Sequence, residues 1–214
     1  MLSENPLEQK PENSTNQIDV EHSVRNFLIG FILFVGLLSG FAYVLHKEQI
    51  KTYKAERELF RRDSIETYVK HIEDVLVLNF TDLDKIQAHG FARPLYEAAD
   101  KYSIDWELEA SIIYYESGWN PGSENPESGC AGLNQFCIET ATRMGDKVGI
   151  EKLSRRDPFE SIIMGACYLR ELQDTKISLD SLIKIYVGDK TNTSIAAKYR
   201  GGVKADYNRM KRMK

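Results

Sequence analysis

Nothing in this sequence is spaced to hold a metal ion or a phosphate. Its four histidines lie far apart (His22, His46, His71, His89), and its three cysteines (Cys130, Cys137, Cys167) form no Cys-x-x-Cys pair, the usual sign of a zinc site. No glycine-rich phosphate-binding fingerprint is present. The chain also lacks an excess of one charge. It carries 28 Lys and Arg against 32 Asp and Glu, a net charge of −4, so electrostatics give no pull towards nucleic acid. Sustained period-two alternation is missing after residue 80, which excludes a sheet-built domain and leaves a mainly α fold. No metal, cofactor or nucleic-acid partner is expected. At 214 residues the chain is long enough for one compact domain with a real core, plus an appendage.

What the chain does have is one long stretch without charge. Residues 27–45 read FLIGFILFVGLLSGFAYVL, from Phe27 to Leu45. As a helix this run rises roughly 28 Å, close to the hydrocarbon thickness of a bilayer, and no polar face interrupts it. A cleavable signal peptide is disfavoured by the long acid-rich segment before it and by the lack of a small-x-small site after it. The expectation is an uncleaved single-pass anchor in a membrane. Residues 1–26 are polar, with Pro6 and Pro11 and few apolar side chains, and are expected to be disordered. Residues 46–79 are dense in both charge signs, with Ile65, Val69, Ile72 and Leu76 at helical spacing. They form a helical stalk, read either as a spacer or self-associating coil, or as an amphipathic helix packed on the domain behind it. That domain spans residues 80–214.

Helices are predicted over 93–102, 106–116, 138–144, 158–173, 179–186 and 193–199. Gly201-Gly202 is read as a break before a basic tail helix. Asp105 and Asp157 are candidate N-caps, the second followed by Pro158 in the first turn.

The most informative stretch is residues 111–136, SIIYYESGWNPGSENPESGCAGLNQF. Glu116 ends an apolar helical run. Residues three, four and seven positions earlier share its face: Ile113, Ile112 and Glu109. Burial beside two isoleucines disfavours the charged carboxylate and raises its pKa, as a general acid requires at neutral pH. The Gly- and Pro-rich loop that follows can fold back over Glu116 and enclose a cleft.

Glu116-Ser117, then Trp119-Asn120-Pro121, then Gly132-Leu133-Asn134-Gln135 closely resembles the soluble lytic transglycosylase family of peptidoglycan-cleaving enzymes, related in fold to goose-type lysozyme. The likeness continues in Thr140-Ala141, in Gly165-Ala166-Cys167-Tyr168-Leu169 and in Tyr186, and covers roughly residues 90–210. The family pattern is Glu-Ser, an aromatic, a polar residue and Pro, then Gly-Leu-Met-Gln. This chain departs from it twice. Asn134 stands for the Met that lines the saccharide site, and the Ala-Tyr-Asn-x-Gly block is read as Ile185-Tyr186-Val187-Gly188, with Val187 at the asparagine position. The loop before Gly132 is one residue longer than usual; Asn125 aligns best with the family's serine, and Ser123 and Ser128 are the alternatives.

The resemblance implies a lysozyme-like helical domain that cleaves the MurNAc–GlcNAc bond of peptidoglycan glycan strands with one acid, Glu116, and closes a 1,6-anhydro ring. It implies substrate contacts from Gln135, Tyr186, Asn134, Asn125, Tyr168 and the tail residue Tyr207. Lysozyme-like hydrolysis is the nearest rival and would need a second carboxylate, for which Asp105, Glu109, Glu124 and Glu127 are the neighbours in sequence. A non-catalytic wall-binding or assembly protein is the other alternative. Trp119 is read as packing under the loop. Cys130 and Cys137 flank the Gly-Leu-Asn-Gln tetrad and either form a disulfide across it, in an oxidising compartment, or stay as buried thiols. Peptidoglycan lies outside the cytoplasmic membrane, so the domain is expected there or in a membrane-containing virion, in wall remodelling, secretion-machine assembly or phage entry. The flanking charges point the other way. Only Lys10 and Arg25 precede the anchor, whereas Lys47, Lys51, Lys54, Arg57, Arg61 and Arg62 follow it.

Overall fold

A computed structural model describes residues 14–188 and 194–213, with side chains from residue 22 onward. The described residues form α-helices and connecting loops, with two isolated β-bridges and no strands, so the fold is mainly α as expected. Two compact units divide the chain, residues 1–62 and 63–214.

The first unit holds most of helix α1 (Ser14–Asn79). Helix is already present from Ser14, inside the segment expected to be disordered, whereas residues 1–13 lie outside the described residues. The charge-free run is uncovered by protein: Phe27 is 74 % and Leu37 74 % exposed. Helix α1 is long and apolar enough there to cross a membrane.

The second unit starts at Asp63, ahead of the boundary at residue 80. The last turns of α1 pack on the domain behind them. Val69, Ile72, Val75 and Leu76 are buried in the same cluster as Leu95, Trp106 and Ile113. An ion pair of Glu66 with Arg93 and a hydrogen bond between the buried Glu73 and His89 fasten this segment to α2 (Lys85–Tyr102). A capping box starts α2. Asp84 Oδ1 accepts from the Gln87 amide, and Gln87 Oε1 accepts from the Asp84 amide.

Helix α3 (Trp106–Ser117) is the central element, with Leu108, Ile112 and Ile113 fully buried. It follows Asp105, but that carboxylate makes no cap bond. It accepts instead from Tyr207 Oη at 2.6 Å and Lys211 Nζ at 2.8 Å. Helices α4 (Ile138–Val148), α5 (Pro158–Asp174) and α6 (Leu179–Tyr186) follow. Asp157 caps α5 through the Glu160 amide, as predicted. Helix α7 (Ser194–Lys211) packs against α3 and runs unbroken through Gly201-Gly202; Thr193, the predicted start, lies outside the described residues. Gly202 is there for close approach rather than as a break: a Cβ on it would meet the Tyr115 hydroxyl at 2.2 Å. The second core cluster, with Leu108, Met144, Met164, Leu169, Ile183 and Val203, fills the space between α3, α4, α5, α6 and α7.

Candidate active site

Glu116 lies in the last turn of α3, where Gly118 (φ +58°) ends the helix in the left-handed region that glycine tolerates. The turn directs the chain into the loop 119–137. Burial raises the Glu116 carboxyl from its ordinary range to about 7, against the opposing effect of one hydrogen bond from Tyr199. Tyr199 Oη donates to Glu116 Oε1 at 2.7 Å. Burial, and after it the same carboxylate, push the Tyr199 phenol far upward, so it stays protonated and remains a donor. Tyr115 packs against the Tyr199 ring at 5.5 Å, with Gly202 close against its hydroxyl. The small residue on α7 thus seats the tyrosine that steadies the acid.

Sequence reasoning missed Tyr199. No local pattern marked it, because Tyr199 meets Glu116 only through the packing of α7 on α3.

The loop is fastened by its own polar groups. Gly132 has φ +83°, and a Cβ there would sit 1.8 Å from the Arg155 carbonyl oxygen, so no other residue fits the tetrad's first position. Arg155 donates to the carbonyls of Gly129 and Phe136. Cys130 and Cys137 form a disulfide across the tetrad. Gln135, also at positive φ, donates its amide N–H groups to the carbonyls of Ser123 (3.1 Å) and Gly132 (2.9 Å). Its amide nitrogen therefore fixes the loop, and its carbonyl oxygen is the atom left for a ligand.

The remaining predicted residues divide by place. The rings of Tyr186 and Tyr168 pack at a tilt, 5.2 Å apart, with Phe136 against both and Arg143 over the Tyr168 ring. Burial, with the nearby Glu116 and Glu109 carboxylates adding to it, raises the Tyr186 phenol well above its ordinary range. Asn134 is 2 % exposed and sits beneath this group: its Oδ1 accepts from Tyr186 Oη at 2.7 Å and its Nδ2 donates to the Ser161 carbonyl at 2.7 Å. Asn125 accepts from the amides of Glu127 and Ser128, a turn within the loop. Tyr207 is not brought to Glu116. Its hydroxyl is held by Asp105 at the opposite end of α3, roughly 16 Å away along the helix. Trp119 is buried on Phe91 and Phe80, under the loop.

Among the neighbouring carboxylates, Asp105 pairs with Lys211, Glu124 pairs with Arg156, Glu127 is an exposed loop residue and Glu109 is fully buried.

Glu116 at the end of the central helix, a tyrosine donating to it and a pinned glycine-rich loop make up the candidate site. Residues 93–208 match the family model described as the transglycosylase SLT domain, and the chain belongs to this family. The chain is 34 % identical over 107 residues to membrane-bound lytic murein transglycosylase F of Hahella chejuensis (strain KCTC 2396), covering 50 % of this chain and 17 % of that protein. It is 41 % identical over 83 residues to the protein of that name from Maricaulis maris (strain MCS10), covering 38 % and 17 %. Over 80 residues it is 42 % identical to that of Yersinia enterocolitica serotype O:8 / biotype 1B (strain NCTC 13174 / 8081), covering 37 % and 15 %. The chain thus spans about a sixth of the length of these relatives.

Proposed function

We propose that the chain is a membrane-anchored peptidoglycan lytic transglycosylase, with Glu116 as its single acid and base. The observation that carries this reading is the Glu116 carboxyl, held near neutrality by burial and oriented by Tyr199. A group that titrates near 7 can both give and take a proton at neutral pH. Glu116 gives its proton to the oxygen linking MurNAc to GlcNAc as the bond from that oxygen to C1 breaks. The MurNAc N-acetyl group assists at C1. Glu116 then takes the proton from the C6 hydroxyl as O6 bonds to C1, which closes the 1,6-anhydro ring and restores the acid without consuming water. Hydrolysis would call for a second carboxylate acting as nucleophile or water-activating base. The pairing of Asp105 and Glu124 and the burial of Glu109 favour the one-acid route.

Residues 27–45 anchor the chain in a membrane, and the catalytic domain works on the wall side of it. The Cys130–Cys137 bond supports that side, since such bonds persist in oxidising compartments. Substrate contacts come from the Gln135 carbonyl oxygen and the rings of Tyr186 and Tyr168. Incubation of the detergent-solubilised chain with purified peptidoglycan, followed by mass spectrometry, tests the reading. Anhydro-terminated muropeptides are expected. Reducing ends would indicate hydrolysis, and no release would refute catalysis.

A further inference from the structure

Asn134 is the member of the Gly-Leu-Asn-Gln tetrad that departs from the family pattern, and it is buried. Its partners leave its side-chain amide a single orientation. The Ser161 carbonyl, which can only accept, lies 2.7 Å from Nδ2. The Asn134 backbone N–H also donates to the Ser161 hydroxyl, at 3.3 Å. Main chain and side chain are thus both tied to the start of α5. Oδ1 is thereby turned to the Tyr186 hydroxyl, 2.7 Å away on α6. A carbonyl oxygen carries no hydrogen, so the phenol donates and Asn134 accepts.

That bond bears on where the Tyr186 ring sits. Tyr168 and Phe136 pack against the ring at a tilt, with centroids 5.2 Å and 5.9 Å away. Apolar packing of this kind is non-directional, whereas the bond to Asn134 prefers one distance and one line of approach. The phenol stays protonated in its buried setting, and a buried hydroxyl without an acceptor is costly. Methionine at position 134 would offer only a thioether, a weak acceptor. The hydroxyl would then have to find another partner, and the ring would move with it.

We infer that Asn134 is a positioning residue: it ties Tyr186 to the tetrad and to α5, and so sets the place of the Tyr186 ring that meets the glycan. This rests on the proposed function for the identity of the ligand, whereas the Tyr186–Asn134–Ser161 chain of bonds belongs to the fold itself. Asn134 acts on the substrate through Tyr186 and not by a contact of its own, since it is only 2 % exposed.

The test compares Asn134→Met, Tyr186→Phe and the double variant with the wild type, in the full detergent-solubilised chain. One readout is KM and kcat on solubilised peptidoglycan strands. The other is the ring-carbon NMR signal of labelled Tyr186, assigned by its loss in Tyr186→Phe. Asn134→Met should move that signal and raise KM by roughly 3- to 10-fold, the worth of one hydrogen bond. Its kcat should change little, because Glu116 and Tyr199 are untouched. Tyr186→Phe keeps the ring and removes the donated hydrogen, so KM should rise into the same range. Both substitutions break one bond, so the double variant should be no worse than the worse single. A wild-type Tyr186 signal or a wild-type KM in Asn134→Met, or additive losses in the double variant, would each overturn the inference. Should Asn134→Met not fold, a wild-type KM in Tyr186→Phe would overturn it as well. A wild-type chain that releases nothing from the wall would refute the proposed function alone. The strands would then be titrated against the Tyr186 signal, and equal affinity in the wild type and Asn134→Met, or no shift in either, would sink the inference too.

Discussion

Cutting the chain at residue 80 should remove its ability to fold, whereas cutting at residue 63 should not. The four aliphatic side chains of residues 63–79 that enter the core, Val69, Ile72, Val75 and Leu76, are 4 %, 0 %, 2 % and 0 % exposed. Full burial of such a side chain contributes about 1.5–3 kcal/mol, so the four together contribute on the order of 6–12 kcal/mol. Allowing for compactness of the unfolded chain lowers that by roughly 10–40 %. A domain's whole net stability is about 5–15 kcal/mol, so the loss consumes most or all of it. The cut also exposes Leu95 and Trp106, which lie in the same cluster. Both tryptophans, Trp106 and Trp119, are buried in this unit, so their fluorescence follows its unfolding in urea. The 63–214 fragment should show a cooperative transition, and the 80–214 fragment none. A cooperative transition in the 80–214 fragment, with a midpoint matching that of the longer one, would refute the reasoning and return residues 63–79 to the role of a mere spacer.

Glu116→Gln should abolish wall lysis in a zymogram. It should also raise thermal stability at pH 8 but not at pH 4. The wild-type folded state holds a proton up to about pH 7 that the unfolded chain loses near 4.5, so wild-type stability falls as pH rises through that window. For the same reason the wild-type rate should decline as pH rises through about 7, measured as kcat/KM against pH. Tyr199→Phe removes a bond that favours the charged carboxylate, so that decline should move to higher pH while the peak rate drops by roughly 10- to 100-fold. Gly202→Ala should lower activity without touching the acid, because its Cβ would displace Tyr115 and with it the Tyr199 ring; a wild-type pH–rate profile would count against this coupling. Reduction of Cys130–Cys137 should lower the unfolding free energy by about 2 kcal/mol for so short a ring, measured by urea titration with and without reductant.

The sequence by itself determined the local features. Asp157-Pro158 starts α5 because the cap and the fixed proline φ act within one turn. The 3.6-residue spacing of Ile112, Ile113 and Glu116 marks the buried face of α3. The charge-free run and the Glu-Ser and Gly-Leu-Asn-Gln blocks were legible for the same reason: each is a contiguous pattern. Tertiary structure alone decided which groups meet across distance. It chose Tyr199, 83 residues beyond Glu116, as the partner of the acid. It turned Asp105 from a helix cap into an anchor for the tail, and it drew residues 63–79 into the core. Helix propensity and capping depend on neighbours within a turn, whereas these contacts depend on how helices far apart in sequence pack, and packing fixes both the burial that shifts a pKa and the partner that answers it.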